Sequence, residues 1–448
     1  MGRTLITNGT ILTMNQTRDQ IRGDVLIENR RIVAVGDISS EMKNGIASSL
    51  DDVIDATDQI VMPGLIQGHI HLCQTLFRGL ADDMELLDWL RDRIWPLEAA
   101  HTKDSLYLSA MLGCAELIRG GTTCIVDMAT VRNTESVFQA IHQTGIRAIC
   151  GKAMMDWGTG VPAALLESTA ESLRASQELC ERWHGEDDNR IQYAYMPRFA
   201  VSCSDQLLRS VAKLARKDSI RIHTHAAENP DEVNLVLQER GDRNVVYLAK
   251  AGLIGPHVSF AHCIWLQKEE IDILAQTGTA VVHCPSSNLK LASGIAPIPT
   301  YLARGVRVAL GSDGAACANN LNGFLEMRLA ALIHKVTSGA KAMPAAKVLA
   351  MATIEGAEAF GLEKEIGSIE PGKRADLILI NPQKSHNQPA GSNLAGQIVY
   401  SLQAADVETV MIDGRIVFQS GILQTIDEGL IRDQAQAALR QLLPVLGT

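Results

Sequence analysis

Two rhythms of apolar residues divide this chain. Over its first sixty residues, short apolar stretches alternate with turn residues. Stretches 4–8, 11–14, 24–27 and 31–35 are separated by Asn-Gly, Glu-Asn-Arg and glycine signals, a pattern that predicts short strands. Stretches 375–380 and 407–418 near the other end read the same way, with Asp413-Gly414 placed for a hairpin turn. Neither terminal block is long enough to enclose a good core alone. The economical reading is one small β-sandwich domain, assembled from residues 1–60 and 365–448.

The middle, residues 61–364, alternates apolar strand-like runs with helical stretches such as 105–119, 168–184, 205–216 and 231–251. The expected strands are 60–62, 122–127, 147–153, 191–196, 220–225, 258–262, 280–283 and 306–312. This alternation favours a parallel sheet, and eight such units favour a closed (β/α)8, TIM-like barrel of roughly 250 residues. Residues 426–443 read as a terminal amphipathic helix with Ile431, Ala435, Ala438 and Leu442 on one face.

Composition narrows the function classes. The hydrophobic fraction of 46% and charged fraction of 21% are those of ordinary globular proteins. No apolar run approaches the roughly 18 residues a membrane span needs. The opening residues Met1 to Ile6 lack a signal-peptide pattern, and Ile6 stands where a myristoylation motif needs Ser or Thr. A net charge of −10 argues against nucleic acid as the main partner. Nine cysteines, with no CxxC pair, read as buried reduced thiols of a cytoplasmic protein. Cys263 and Cys284 each follow a histidine and read as small packing residues rather than ligands.

The chemistry lies at the expected strand ends. His69-Ile70-His71 follows the first run and a Pro63-Gly64 breaker, and alternation along a strand points both imidazoles the same way. Strand five ends in His223-Thr224-His225-Ala226-Ala227-Glu228, strand six in His262, strand seven in His283, and strand eight runs into Ser312-Asp313. In a barrel these ends meet at one mouth. Buried charges are costly unless paired or bound to metal, so the combination predicts a metal site. A catalytic zinc takes about three or four protein ligands plus water, and lowers the pKa of that water towards about 7. His69, His71 and Asp313 suit such an ion, with His223 and His225 both in reach of the same face. Glu228 lies where it can carry a proton, and His262 where it can stabilise developing charge.

The motifs Pro63-Gly64-Leu65-Ile66-Gln67-Gly68-His69-Ile70-His71, His225-Ala226-Ala227-Glu228, Ala261-His262-Cys263, Pro285-Ser286-Ser287-Asn288-Leu289-Lys290-Leu291 and Gly311-Ser312-Asp313-Gly314 resemble the amidohydrolase superfamily. So does Pro371-Gly372-Lys373-Arg374-Ala375-Asp376-Leu377. The similarity is to the branch of purine nucleoside deaminases acting on methylthioadenosine, S-adenosylhomocysteine and 5′-deoxyadenosine, with guanine deaminases and triazine hydrolases nearby. It implies one divalent ion, zinc first and iron(II) second, held by His69, His71, His225 and Asp313. It implies catalytic roles for Glu228, His262 and Asp313, a small-molecule substrate and a homo-oligomer. His223 then falls behind the ligands. No lysine ends strand four, in line with one metal rather than two, while Lys152 near the end of strand three stays open.

Substrate contacts are expected at Gln74, Glu98, Arg198 and His283. Trp95-Pro96-Leu97-Glu98 resembles deaminases whose glutamate grips the ribose hydroxyls. Pro197-Arg198-Phe199 resembles guanine deaminases, whose arginine donates to a purine carbonyl. The expected activity is hydrolytic deamination of 5′-modified adenosines, a C–N hydrolysis in a cyclic amidine. Guanine deamination and triazine dechlorination or deamination are the rivals, and the ligand set disfavours a metal-free scaffold.

Overall fold

The chain crosses from one sheet to another at Gly64. The structure, a computed structural model, describes residues 2–38 and 50–447. Residues 1, 39–49 and 448, all in the terminal blocks, lie outside the described residues. Ile60–Pro63 pairs in parallel with Arg3–Leu12 and antiparallel with Leu377–Ile380. The run expected to open the barrel therefore belongs to the terminal sheet, and the first barrel strand is Leu65–His71. A Pro-Gly pair usually ends a strand. Here it is a crossing point instead: a Cβ on Gly64 would lie 2.1 Å from the Thr123 side chain, so only glycine passes.

The terminal sheet takes strands from both chain ends, as the pattern predicts. Its order is Ile422–Leu423, Arg415–Gln419, Val407–Ile412, Leu377–Ile380, Ile60–Pro63, Arg3–Leu12, Gln20–Glu28 and Arg31–Gly36, with Asp52–Asp55 also beside Arg3–Leu12. The two strands expected over 4–8 and 11–14 are one. Asn8, at φ 62°, shifts the register as a bulge and does not turn the chain back. Asp413 (φ 54°) and Gly414 (φ 75°) do form the expected hairpin turn. Ile6, Ile11, Val25, Val61, Leu377 and Met411 share a core separate from the barrel's.

The other barrel strands are Thr122–Met128, Arg147–Gly151 continued by Ala153–Met154, Ile191–Pro197, Arg221–Ala226, Val258–His262, Ala280–His283 and Val308–Leu310. They pair in parallel and are almost wholly buried, because helices cover the outer face. The eighth strand closes the ring by splitting. Val308–Leu310 bonds to strand seven, and Asp313–Gly314 bonds to strand one with Asp313 opposite Ile70. Gly311 sits at the split, where a Cβ would be 2.8 Å from the backbone N and O of His69.

The helices follow their caps. Thr102 and Ser105 form a reciprocal box at the start of Lys103–Arg119, and Ser168 with Glu171 does so for Thr169–Trp183. The helix expected over 231–251 is two, Pro230–Arg240 and Asn244–Ala251, broken at Gly241 with φ 77°. Glu428–Leu442 buries the predicted face, Ile431, Ala435, Ala438 and Leu442, against Lys103–Arg119. Among the described residues, no helix is long and apolar enough to cross a membrane.

A buried ion network joins the two parts. Arg147, at the start of barrel strand three, donates to Asp376 at 2.6 and 3.0 Å and to Asp413 at 3.1 Å. Arg374 donates to the same Asp413 oxygen at 2.7 Å. Removing one partner from such a network strands buried charge. Arg147→Met should therefore destabilise the protein by roughly 3–5 kcal/mol in urea unfolding. A loss below about 1 kcal/mol, the scale of an exposed pair, would show that the network is not a structural joint.

Candidate active site

Strand alternation brings His69 and His71 onto the inner face at the C-terminal end of barrel strand one, both buried. The split eighth strand lays Asp313 beside them: its Oδ1 is 3.4 Å from Nε2 of each imidazole. From strand five, His225 Nε2 comes within 3.3 Å of His71 Nε2. From strand six, His262 Nε2 is 3.5 Å from Glu228 and 3.9 Å from Asp313. His69, His225 and His262, and separately His69, His71 and Asp313, offer ligand atoms all within 4.8 Å of one another.

The outer nitrogens fix what the inner ones are. His71 Nδ1 lies 2.7 Å from the Met128 carbonyl, and His225 Nδ1 lies 2.7 Å from the Arg198 carbonyl. A carbonyl only accepts, so each Nδ1 carries the proton. Burial holds both imidazoles below their usual pKa, in the neutral form. Their Nε2 atoms are then bare lone pairs facing each other at 3.3 Å, a repulsive contact unless a cation lies between. Among the described residues, His69 Nε2 and His262 Nε2 are buried without a hydrogen-bond partner. Burial and the neighbouring imidazoles lower His69 to about 4, against the pull of Asp313. Burial by itself would raise Asp313, but the facing His69, His71 and His262 hold it well below the carboxylate range. Three neutral imidazoles and one ionised carboxylate fit a divalent cation.

Supporting residues aim this cluster. Ser287 Oγ donates to Asp313 Oδ2 at 2.6 Å, and Asn288 Oδ1 accepts from His262 Nδ1 at 2.8 Å. His223 stands behind His69, 2.8 Å from its Nδ1, and is itself 2.8 Å from Ser259 Oγ. Asp127, at the end of strand two, accepts from Leu72 N at 2.7 Å and so anchors the backbone just after His71. Burial raises it to about 7. Ala227, His262, Cys263 and Asp313 all have φ between 51° and 69°, a region that costs a non-glycine residue roughly 1–3 kcal/mol. Four such residues beside the cluster mark where strand ends are bent to aim side chains.

Burial raises Glu228 well above the usual carboxyl pKa, and the nearby Asp313 and Glu232 raise it further. Its backbone N–H is held by Glu232 at 2.7 Å. A carboxyl of this kind can keep and transfer a proton near neutral pH. A pocket opens onto Glu228, His262 and Asp313, with Leu86, Trp89, Leu90 and Phe199 as apolar walls and Gln74 and Arg198 as polar ones.

The remaining expected contacts are placed differently. Glu98 does not line the cavity; it is buried, bonded to Arg198 and Gln74. His283 turns away from the cavity, its Nε2 3.3 Å from His334. Lys152 is buried against Glu167 at 2.5 Å, and burial lowers it to about 8 despite that partner, so it offers the metal cluster nothing. Sequence reading missed Asp127, although it ends an apolar run as the other site residues do. It gave no role to Ser287 or Asn288, which only a contact between distant loops reveals. All nine cysteines are free and all but Cys180 buried.

Comparison with known proteins agrees with this geometry. A model of the amidohydrolase family matches residues 60–417. A 5′-deoxyadenosine deaminase of Methanothermobacter thermautotrophicus is 42% identical over 98% of both chains. A 5-methylthioadenosine/S-adenosylhomocysteine deaminase of Syntrophomonas wolfei is 38% identical over 98% of this chain and 99% of its own. The zinc-bound crystal structure of an adenosine deaminase from Xanthomonas campestris superposes with a TM-score of 0.91 at 31% identity, covering 98% of each chain. With a barrel closed through its split eighth strand and four histidines and an aspartate converging at its mouth, this chain belongs to the amidohydrolase family.

Proposed function

We propose that the protein is a hydrolytic deaminase of purine nucleosides, acting on 5′-modified adenosines such as 5′-deoxyadenosine and methylthioadenosine. One observation carries the reading: bare imidazole lone pairs and an ionised Asp313 converge beside a protonatable Glu228 at the floor of a pocket with apolar walls. The names of relatives spanning nearly the whole chain support the substrate class. His69, His71, His225 and Asp313 would hold one divalent ion. The donor set suits zinc or iron(II), and the zinc-bound neighbour favours zinc. Such an ion, when bound, acidifies water and makes hydroxide available at neutral pH.

The chain's own groups do the rest. Leu86, Trp89 and Phe199 pack the purine and exclude bulk water. Water adds to the amino-bearing ring carbon. Glu228 takes a proton from that water and delivers it to the adjacent ring nitrogen, then takes the proton of the new hydroxyl and delivers it to the departing amine, which leaves as ammonia. His262, fixed by Asn288, stabilises the new hydroxyl on the tetrahedral carbon. By the family resemblance, Glu98, which Arg198 and Gln74 hold behind the polar wall of the cavity, would accept from the ribose hydroxyls. The free, mostly buried thiols support a reducing, cytoplasmic setting. A homo-oligomer rests on the family resemblance.

Glu228→Gln should keep its metal content and lose about 10²–10⁴-fold in ammonia release; wild-type turnover in that variant would refute the proton-transfer role. Chelation should abolish turnover of 5′-deoxyadenosine and lower the thermal midpoint, with stoichiometric zinc restoring both. Full activity in metal-depleted protein would exclude the proposed chemistry.

A further inference from the structure

Glu326 is fully buried, and among the described residues no cationic side chain pairs with it. One oxygen, Oε2, accepts the backbone N–H of Ser286 at 3.1 Å; the other has no hydrogen-bond partner among the described residues. Burial raises the carboxyl to about 7. A buried acid with so few bonds is costly, and an apolar side chain would fill the same place at less cost. What Glu326 offers in return is an acceptor for one N–H.

That N–H lies near the start of a short turn of helix, Pro285–Lys290, which borders the metal cluster. From this turn Ser287 Oγ holds Asp313 and Asn288 Oδ1 holds His262. The turn is tied at both ends. At the far end Lys290 Nζ donates to the Ala316 carbonyl at 3.2 Å and pairs with Asp82 at 2.7 Å, but this side chain is partly exposed and water can replace its partners. At the near end Glu326 is sealed from water. Its own helix, Gly323–Ser338, is locked to the barrel. Asn322 caps it by accepting from Phe324 N at 3.0 Å, and a Cβ on Gly323 would lie 2.9 Å from the Leu65 side chain, on the strand that carries His69 and His71. Glu326 thus sets the turn in register with that strand.

We propose that Glu326 is a positioning residue for the cluster: as acceptor for the Ser286 N–H it fixes the turn from which Ser287 aims Asp313 and Asn288 aims His262. Asp127 and Glu232 act alike at two other strand ends, where they accept from Leu72 N and Glu228 N. Each of the three is a buried carboxyl that holds main chain beside a group of the site, and none lines the pocket. The role needs an acceptor and not a charge, so an amide can fill it and a hydrocarbon cannot.

This inference rests on the metal-site part of the reading above, and its test has a readout independent of substrate. Zinc affinity by chelator competition, and kcat and KM with 5′-deoxyadenosine, are measured in wild type, Glu326→Gln, and Glu326→Leu and Ser287→Ala alone and combined. Glu326→Leu should weaken zinc about tenfold and lower kcat about 10–100-fold with KM within about threefold, the scale of losing an outer hydrogen bond behind a metal ligand. Glu326→Gln, which keeps the acceptor, should stay within about threefold of wild type in all three. In the Ser287→Ala background, Glu326→Leu should weaken zinc by less than about twofold, because the link to Asp313 is already cut. Glu326→Asp, too short to reach Ser286, should match Glu326→Leu and stands in for it if that variant does not fold. Equal losses in Glu326→Gln and Glu326→Leu, or the same loss of zinc affinity with and without Ser287, overturn the role of Glu326. Wild type that binds zinc but leaves 5′-deoxyadenosine unchanged overturns the nucleoside reading, while the zinc affinities still decide the role of Glu326. Wild type that binds no zinc overturns both.

Discussion

The structure depends on a repulsion that has to be relieved. His71 and His225 turn bare Nε2 lone pairs towards each other at 3.3 Å, because each Nδ1 proton is claimed by a main-chain carbonyl. Asp313 adds a negative charge 3.4 Å from two of the imidazoles, and His69 Nε2 is left without a partner. Ser287 donates to one oxygen of Asp313, but among the described residues no donor lies between the two facing Nε2 atoms. A divalent cation would relieve the repulsion, and the same cation would make the arrangement chemically useful.

Much of the fold serves to hold that arrangement. Strand eight splits so that Asp313 can pair beside strand one, and Gly311 lets the chain pass against the His69 backbone. Left-handed residues at the strand ends redirect His262 and Asp313 inward. Ser287, Asn288, His223 and Asp127 each hold one member of the cluster or its adjoining backbone. Below, the Arg147 network ties the barrel to a sheet drawn from both chain ends. Sites of this kind need their ligands fixed by outer hydrogen bonds as much as by the ligands themselves.

The convergence was legible because it depends on two periodic rules. Alternation put His69 and His71 on one face, and the barrel's common mouth put His225, His262 and Asp313 with them. What escaped sequence reading depends on direction rather than period. Ile60–Pro63 is as apolar as a barrel strand, and only its partners Arg3–Leu12 and Leu377–Ile380 assign it to the other sheet. His283 has the right strand-end position but turns to His334. Glu98 and Arg198 were read as separate contacts favouring different substrates. Their pairing across a hundred residues is a tertiary fact that no local pattern encodes.

The central claim is best tested by anomalous diffraction at the zinc and iron edges, on crystals grown without chelator. The account predicts one anomalous peak per chain, within bonding distance of His69 Nε2, His71 Nε2, His225 Nε2 and an Asp313 oxygen. A peak elsewhere, or none with the four side chains unchanged in position, would contradict it.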